Sequence, residues 1–245
     1  MSYDGLAQKK RDARSVAGVE SALKNLRRLY PGGYIVNSVF TPKTVPLLAA
    51  SMQELLLQGH ARLQYALDTT VPWKKADLAA LEQQLGLLAV IAEKHRRKTG
   101  NMPLENVAVE GKKGISACFA GRDRLALLPD RTVWGCYMFY DLLGRKPSHP
   151  DYQKYCFGKL EQFITSPAKG RAAVAANYAE LRQDYFFTEK KELCSLCADL
   201  ERCAVCPVVA ALATRTLAVI PGWTCRIRKI TRGAAASARS AASGS

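Results

Sequence analysis

The sequence predicts a mixed α/β chain in two parts, an incomplete parallel β/α unit followed by a small cysteine-rich domain. Three observations carry that reading. Apolar residues switch between helical and strand periodicity through the first 109 residues. Strand and helix alternate there, the pattern of a parallel sheet with right-handed crossovers. Five of the eight cysteines then fall between Cys194 and Cys225.

The elements follow in order. Val16, Val19, Leu23, Leu26 and Leu29 recur at helical spacing between Ser15 and Tyr30, and Pro31-Gly32-Gly33 ends that helix. Tyr34 to Phe40 is β-branched and aromatic, a buried strand. Thr41-Pro42 opens a helix with Val45, Leu48, Met52, Leu55 and Leu56 inside, and Gly59 stops it. Ala61 to Leu67 is a second strand, and Asp68 to Trp73 a loop. Asp77 to Lys98 is a long helix with Leu78, Leu81, Leu85, Leu88, Ile91 and Ala92 facing inward. Val107 to Val109 reads as one more strand. Three or four parallel strands close neither a barrel nor a doubly wound sheet, and a parallel edge left open invites pairing.

Beyond residue 110, Arg124–Leu128 and Thr132–Trp134 form strand, turn and strand around Pro129-Asp130-Arg131, with Cys118 and Cys136 outside them. Asp151–Thr165 and Ala168–Phe186 read as helices. The cysteine run Cys194-x2-Cys197-x5-Cys203-x2-Cys206 follows, and Cys225 comes 19 positions after it. The tail from 233 to 245 is Ala, Ser, Gly and Arg; it builds no core and reads as disordered.

Composition bounds the chemistry. Hydrophobic residues make up 48% and charged residues 23%, the balance of an ordinary soluble protein. No apolar run reaches the ~18 residues of a spanning helix. The start has no basic-then-apolar leader pattern, so a cytoplasmic location and no membrane partner are expected. In a reducing compartment, paired cysteines are read as metal ligands before disulfides. Thiolates suit iron–sulfur clusters, zinc and Cu(I). Seven cysteines exceed the four that one tetrahedral ion takes, which points to two centres. Cys156, on an expected helix, reads as a buried thiol outside them.

The net charge of +15 favours anionic partners. Its basic groups lie on several elements with no aromatic interleaving, so a dedicated nucleic-acid surface is not expected. A zinc-bearing, basic nucleic-acid-binding module stays the alternative. It leaves Cys118 and Cys136 unexplained. His60 and His95 read as surface residues. Asp68 reads equally as a substrate contact at a strand end or as a loop cap. No phosphate-cradling or dinucleotide motif occurs.

Cys118-Phe-Ala-Gly121, the hairpin to Cys136, the C-x2-C-x5-C-x2-C run and Cys225 together resemble the SPASM domain of radical S-adenosylmethionine (SAM) enzymes. Ser2-Tyr3-Asp4-Gly5 looks like the Ser-x-Asp-Gly of a mid-barrel strand in those proteins. Residues 1–109 resemble the second half of their partial barrel, and 110–232 their iron–sulfur domain. The resemblance implies two auxiliary [4Fe-4S] clusters. Cys194, Cys197, Cys203 and Cys225 would hold the outer one, and Cys118, Cys136 and Cys206 the inner one. It also implies a peptide or protein substrate, and Ser2 as a contact to SAM.

There are departures. Lys112 and Lys113 stand where many members carry a further inner-cluster cysteine, and Arg131 stands at their turn glycine. The gap from Cys203 to Cys206 is one residue shorter than usual. Tyr137 replaces the acid of sulfatase-maturing relatives, which argues against their base chemistry. The C-x3-C-x2-C triad that holds the catalytic cluster does not occur, nor does the glycine-rich SAM strand. The expectation is an auxiliary portion, inactive as a radical enzyme by itself, with the other half of the barrel lost or on a separate chain.

Overall fold

The computed structural model describes residues 1–108, 124–179, 187–188, 193–200, 203 and 206–243. Its contacts divide the chain into two units, Met1–Gly111 with Arg226–Ser245, and Lys112–Cys225.

In the first unit, β1 (Val36–Phe40) and β2 (Leu63–Leu67) pair in parallel, Val36 opposite Leu63 and Phe40 opposite Leu67. Two single bridges extend the pairing, Ser2 to Asn37 on one side and Leu104 to Leu63 on the other, both parallel. Four chain segments thus lie side by side in sequence order. Helices separate them: α1 (Leu6–Arg11) and α2 (Val16–Leu29) before β1, α3 (Leu48–Leu57) before β2, and α4 (Lys75–Thr99) before Leu104. The core is the predicted set of leucines. Along α4, Leu78, Leu81, Leu85, Leu88 and Ala92 are buried at alternating steps of three and four. They accompany Val36, Phe40, Leu48, Met52, Leu55 and Leu63. Gly100, left-handed at φ 78°, ends α4.

Several details depart from the expectation. Of the apolar stripe on α2 only Leu23 is buried, and Leu29 is 58% exposed. Thr41-Pro42 starts a turn, because Thr44 Oγ1 accepts from Thr41 N at 2.9 Å, and α3 follows only from Leu48. The strand expected at Val107–Val109 is instead α5 (Glu105–Ala108), Val109 lying outside the described residues. The cause is local. Asn106 Oδ1 accepts from Tyr65 N at 2.9 Å and Asn106 Nδ2 donates to Tyr65 O at 3.0 Å. One amide side chain thereby takes both backbone bonds that a continuing strand would have made.

His60 is buried, not on the surface as expected. Tyr34 Oη lies 2.7 Å from His60 Nδ1, and the rings meet edge to face. Burial raises the Tyr34 phenol's pKa, so it keeps its proton and donates to Nδ1. Burial first, and the Arg27 guanidinium second, lower the His60 pKa below its ordinary 6.5. Folding therefore holds the ring neutral while the unfolded chain still takes a proton. The sign follows: the contribution is complete above about pH 6.5 and is lost as the pH falls below it, by up to about 1.4 kcal/mol per pH unit. Urea melts between about pH 7.5 and pH 5.5 are expected to show that fall, and His60→Gln to flatten it. An equal slope in the variant would assign the loss to other groups.

In the second unit, β3 (Ala126–Leu127), β4 (Thr132–Trp134) and β5 (Cys156–Lys159) form an antiparallel sheet. The expected hairpin is present, its turn tied by Asp130 Oδ1, which accepts from Thr132 N at 3.0 Å and Thr132 Oγ1 at 2.6 Å. Arg131 adopts φ 65°, a left-handed turn position that favours glycine. A side chain there costs about 1 kcal/mol. Its guanidinium pairs with Glu161, and its carbonyl accepts from Leu160 N at 2.8 Å.

Around the sheet stand α6 (Tyr137–Leu143), α7 (Tyr152–Tyr155), α8 (Leu160–Thr165), α9 (Pro167–Asn177) and α10 (Pro207–Thr214). The short strands β6 (Phe187–Thr188) and β7 (Val219–Ile220) pair in parallel. The helix expected over Asp151–Thr165 is broken by β5, so Cys156 sits on a strand opposite Trp134, still buried. Phe139 stacks on Tyr155 with centroids 3.8 Å apart, and Tyr178 meets both edge-on. These rings and Trp134 form the centre of the unit.

The last helix, α11 (Gly222–Ser243), runs through most of the tail expected to be disordered. Alanine-rich sequence is the best helix former, which accounts for the difference. Among the described residues no helix is long and apolar enough to cross a membrane.

Candidate metal centre

The cysteines of the second unit are placed by turns and helix starts. Cys197 N donates to Cys194 O at 2.9 Å, Leu200 N to Cys197 O at 3.0 Å, and Cys203 N to Leu200 O at 3.0 Å. The first two of these i to i+3 bonds close four-residue turns over Cys194–Cys197 and Cys197–Leu200, the first C-x2-C spacing read as backbone. Cys206 then precedes the first turn of α10, where Pro207 occupies the position that needs no N–H partner. The N-terminal end of α10 favours negative charge beside it, as a thiolate carries. Cys136 holds the corresponding place before α6, with Phe139 N donating to its carbonyl at 3.2 Å. Cys225 lies in the first turn of α11, its N–H directed to Pro221 O at 3.3 Å.

These segments, distant in sequence, share one core. Cys136, Cys194, Cys203, Cys206 and Cys225 are each half-buried and pack against the cluster of Trp134, Phe139, Val208, Ala210 and Ile220. Cys197 is half-buried as well. The seven described cysteines form no disulfide among themselves. Cys118 lies outside the described residues.

The structure brings these thiols to one rim, not to one point. Among the described residues, no three His, Cys, Asp or Glu side chains stand close enough together to hold an ion. The donor chemistry nonetheless suits a soft metal, since half-buried sulfur on an apolar wall is easily desolvated and retains affinity for iron, zinc and copper. Cys156 is a buried member of that same core, beside Tyr152. Burial first, then a hydrogen bond to Cys156, pushes the Tyr152 phenol up to about 12.

Ser2, expected at a cofactor, is exposed and contributes a parallel bridge to Asn37. The rest of its motif is structural. Tyr3 O accepts from Ser38 Oγ at 2.7 Å, and the buried Asp4 carboxylate accepts from Val39 N at 2.7 Å. Asp68 takes the loop-capping role: its Oδ1 accepts from Thr70 N at 2.9 Å and Thr70 Oγ1 at 2.5 Å. Trp73 Nε1 donates to the Asp68 carbonyl at 2.8 Å, closing the loop.

One residue near the thiols escaped the sequence reading. Met138 Sδ lies 3.9 Å from Cys206 Sγ. The available signal was a second sulfur two positions after Cys136. Neither the protein-family models nor the curated proteins include a match to this chain.

Proposed function

We propose that this chain is an auxiliary iron–sulfur portion of a radical SAM/SPASM-type system that modifies a peptide or protein. Cys194, Cys197, Cys203 and Cys225 hold the outer [4Fe-4S] cluster, and Cys136 and Cys206, with Cys118, hold a second centre. One observation carries the reading: five half-buried thiols, from three separate stretches of chain, rim a single apolar core. Side-by-side parallel segments in sequence order, each followed by helix, support the half-barrel part of it.

When bound, such a cluster supplies a one-electron relay or a Lewis-acidic iron. The chain's own residues do the rest. A four-residue turn presents Cys194 and Cys197, the Leu200 carbonyl accepts from Cys203 N, and the first turn of α11 adds Cys225. The aromatic core behind them excludes water, which tunes a cluster's potential. A metal held by these thiols would need them brought closer together, so its binding would be coupled to local folding.

Anaerobic reconstitution of the full chain with iron and sulfide tests this. A brown protein is expected, absorbing near ~400 nm, with at least about four irons per chain and equal sulfide. Cys194→Ser and Cys225→Ser should each lower the iron content. A colourless protein that retains stoichiometric zinc would overturn the reading in favour of a zinc-bearing nucleic-acid-binding module.

A further inference from the structure

We infer that the end of the first unit at which α2, α3 and α4 finish is a docking surface for an acidic, apolar segment of a partner protein. It is independent of the metal reading above and would survive that reading's failure. Topology sets the place. β1, β2 and the Leu104 segment run parallel, and each is entered from the helix before it. Residues 30–35 join α2 to β1, 58–62 join α3 to β2, and 100–103 join α4 to Leu104. Connections that short hold all three helix C-termini at the edge where the strands begin. Contacts tie them together there. The Arg27 guanidinium donates to the Gln58 carbonyl, Tyr34 Oη meets His60 Nδ1 at 2.7 Å, and Leu63 N donates to Pro103 O at 2.8 Å.

Two kinds of side chain are exposed at this end. Leu29 and Tyr30 close α2 at 58% and 63% exposure, and Leu57 closes α3 at 81%. Lys24, Arg28, Lys94, Arg97 and Lys98 stand exposed in the last two turns of α2 and α4. The acids nearby are already committed. Glu93 pairs with Arg96 and Arg97, Glu105 pairs with Arg62, and Glu54 turns its Oε2 into the interior. Cations in a last helical turn are favoured by the helix dipole, which accounts for their presence. It does not account for three large apolar side chains left in water among them. Apolar surface ringed by charge marks an interaction site.

Opposite charge and apolar content together define the partner. A nucleic acid would stack its bases on aromatic rings, and here one tyrosine accompanies two leucines. Two leucines and a tyrosine, partly covered, offer less apolar surface than a myristoyl chain, which by itself binds membranes only marginally. A shaped protein partner needs only a few such anchors. Parallel α/β units handle their ligands at the opposite edge, where the strands end. This end is therefore placed to anchor a partner and not a reacting group.

A library of random short peptides is selected against the immobilised full chain at low ionic strength, and the recovered peptides are remade with a fluorescent label. Peptides combining Asp or Glu with large apolar residues are expected, with binding that weakens as salt is added. Leu57→Ser should weaken them by about tenfold, the loss of one anchor. Lys94→Gln with Lys98→Gln should also weaken them by about tenfold. Lys43→Gln with Lys75→Gln removes the same charge at the opposite edge and should change binding by less than about twofold. All five altered side chains are exposed, so the fold is retained.

No recovered peptide, or peptides without acidic residues, would overturn the surface. Equal losses in the two lysine pairs would reduce the binding to bulk charge and overturn it as well. Adhesion to phosphatidylserine vesicles or to a single-stranded oligonucleotide that depends on Leu57, while no peptide's binding does, would overturn the protein partner in favour of lipid or nucleic acid.

Discussion

Gly135→Ala is expected to destabilise the Lys112–Cys225 unit by about 3 kcal/mol, the upper end of the ordinary cost of overpacking. A Cβ at this position would stand 2.1 Å from Tyr178 Oη, 2.3 Å from Cζ and 2.5 Å from Cε2. Tyr178 is 1% exposed and wedged edge-on against Phe139 and Tyr155, so its ring has nowhere to swing. Removing only the hydroxyl with Tyr178→Phe leaves the two ring-carbon contacts and should rescue little. Tyr178→Ala alone costs about 4 kcal/mol, as aromatic truncations do. It also opens the space that the added methyl needs. The double variant should therefore be no less stable than Tyr178→Ala by itself. Denaturant melts of the four chains measure the coupling. Additive losses would show that the two residues do not compete for one volume. Gly135 directly precedes Cys136, so a backbone pushed away from Tyr178 carries Cys136 with it, and iron uptake on reconstitution at the proposed second centre should fall alongside stability.

Gly5→Ala should cost a similar amount, about 3 kcal/mol, in the first unit, for two separable reasons. Gly5 has φ 57°, where an L side chain costs about 1 kcal/mol. The added Cβ would also lie 2.9 Å from the Ser51 carbonyl oxygen and 3.1 Å from its Cα. Those are backbone atoms of α3, and they do not yield as a side-chain tip would. Ser51 is itself tied in, its Oγ accepting from Ala7 N at 3.2 Å. Ser51→Ala leaves that backbone in place, so it should not relieve the double variant. The midpoint of a urea melt, followed by a signal from the first unit, decides it. A loss smaller than about 0.5 kcal/mol would mean that the Ser2–Gly5 element is not packed on α3 as described.

Most of the first unit was legible in the sequence because its elements are long and periodic. The α4 leucines declare a helix and its buried face without reference to anything else. Phe40 ends a run whose β-branched and aromatic content marks it as a strand. Short elements were less legible. Cys156–Lys159 reads as part of a helix until Trp134 and Thr132, distant in sequence, supply the pairing edge. Val107–Val109 reads as a strand until Asn106 is seen to satisfy Tyr65 from within a helix over Glu105–Ala108. His60 carries no periodic signal, and only the position of Tyr34 makes it interior.

The candidate site divides in the same way. The C-x2-C spacing already announces turns that present sulfur, and the structure has that turn over Cys194–Cys197. Which core the thiols line, and that Met138 joins Cys206, cannot be written in local spacing.

By itself the sequence determined the alternation of strand and helix, the leucine faces, the β3–β4 hairpin and the soft-donor character of the cysteine run. Each of these is a property of residues within a few positions of one another. Tertiary structure alone decided that Cys136, Cys206 and Cys225 share a rim, that a thioether stands 3.9 Å from a thiol, and that Gly135 must stay bare beneath Tyr178. Those outcomes depend on how distant segments share a closely packed interior, where each side chain's place is set by neighbours that its own sequence does not name.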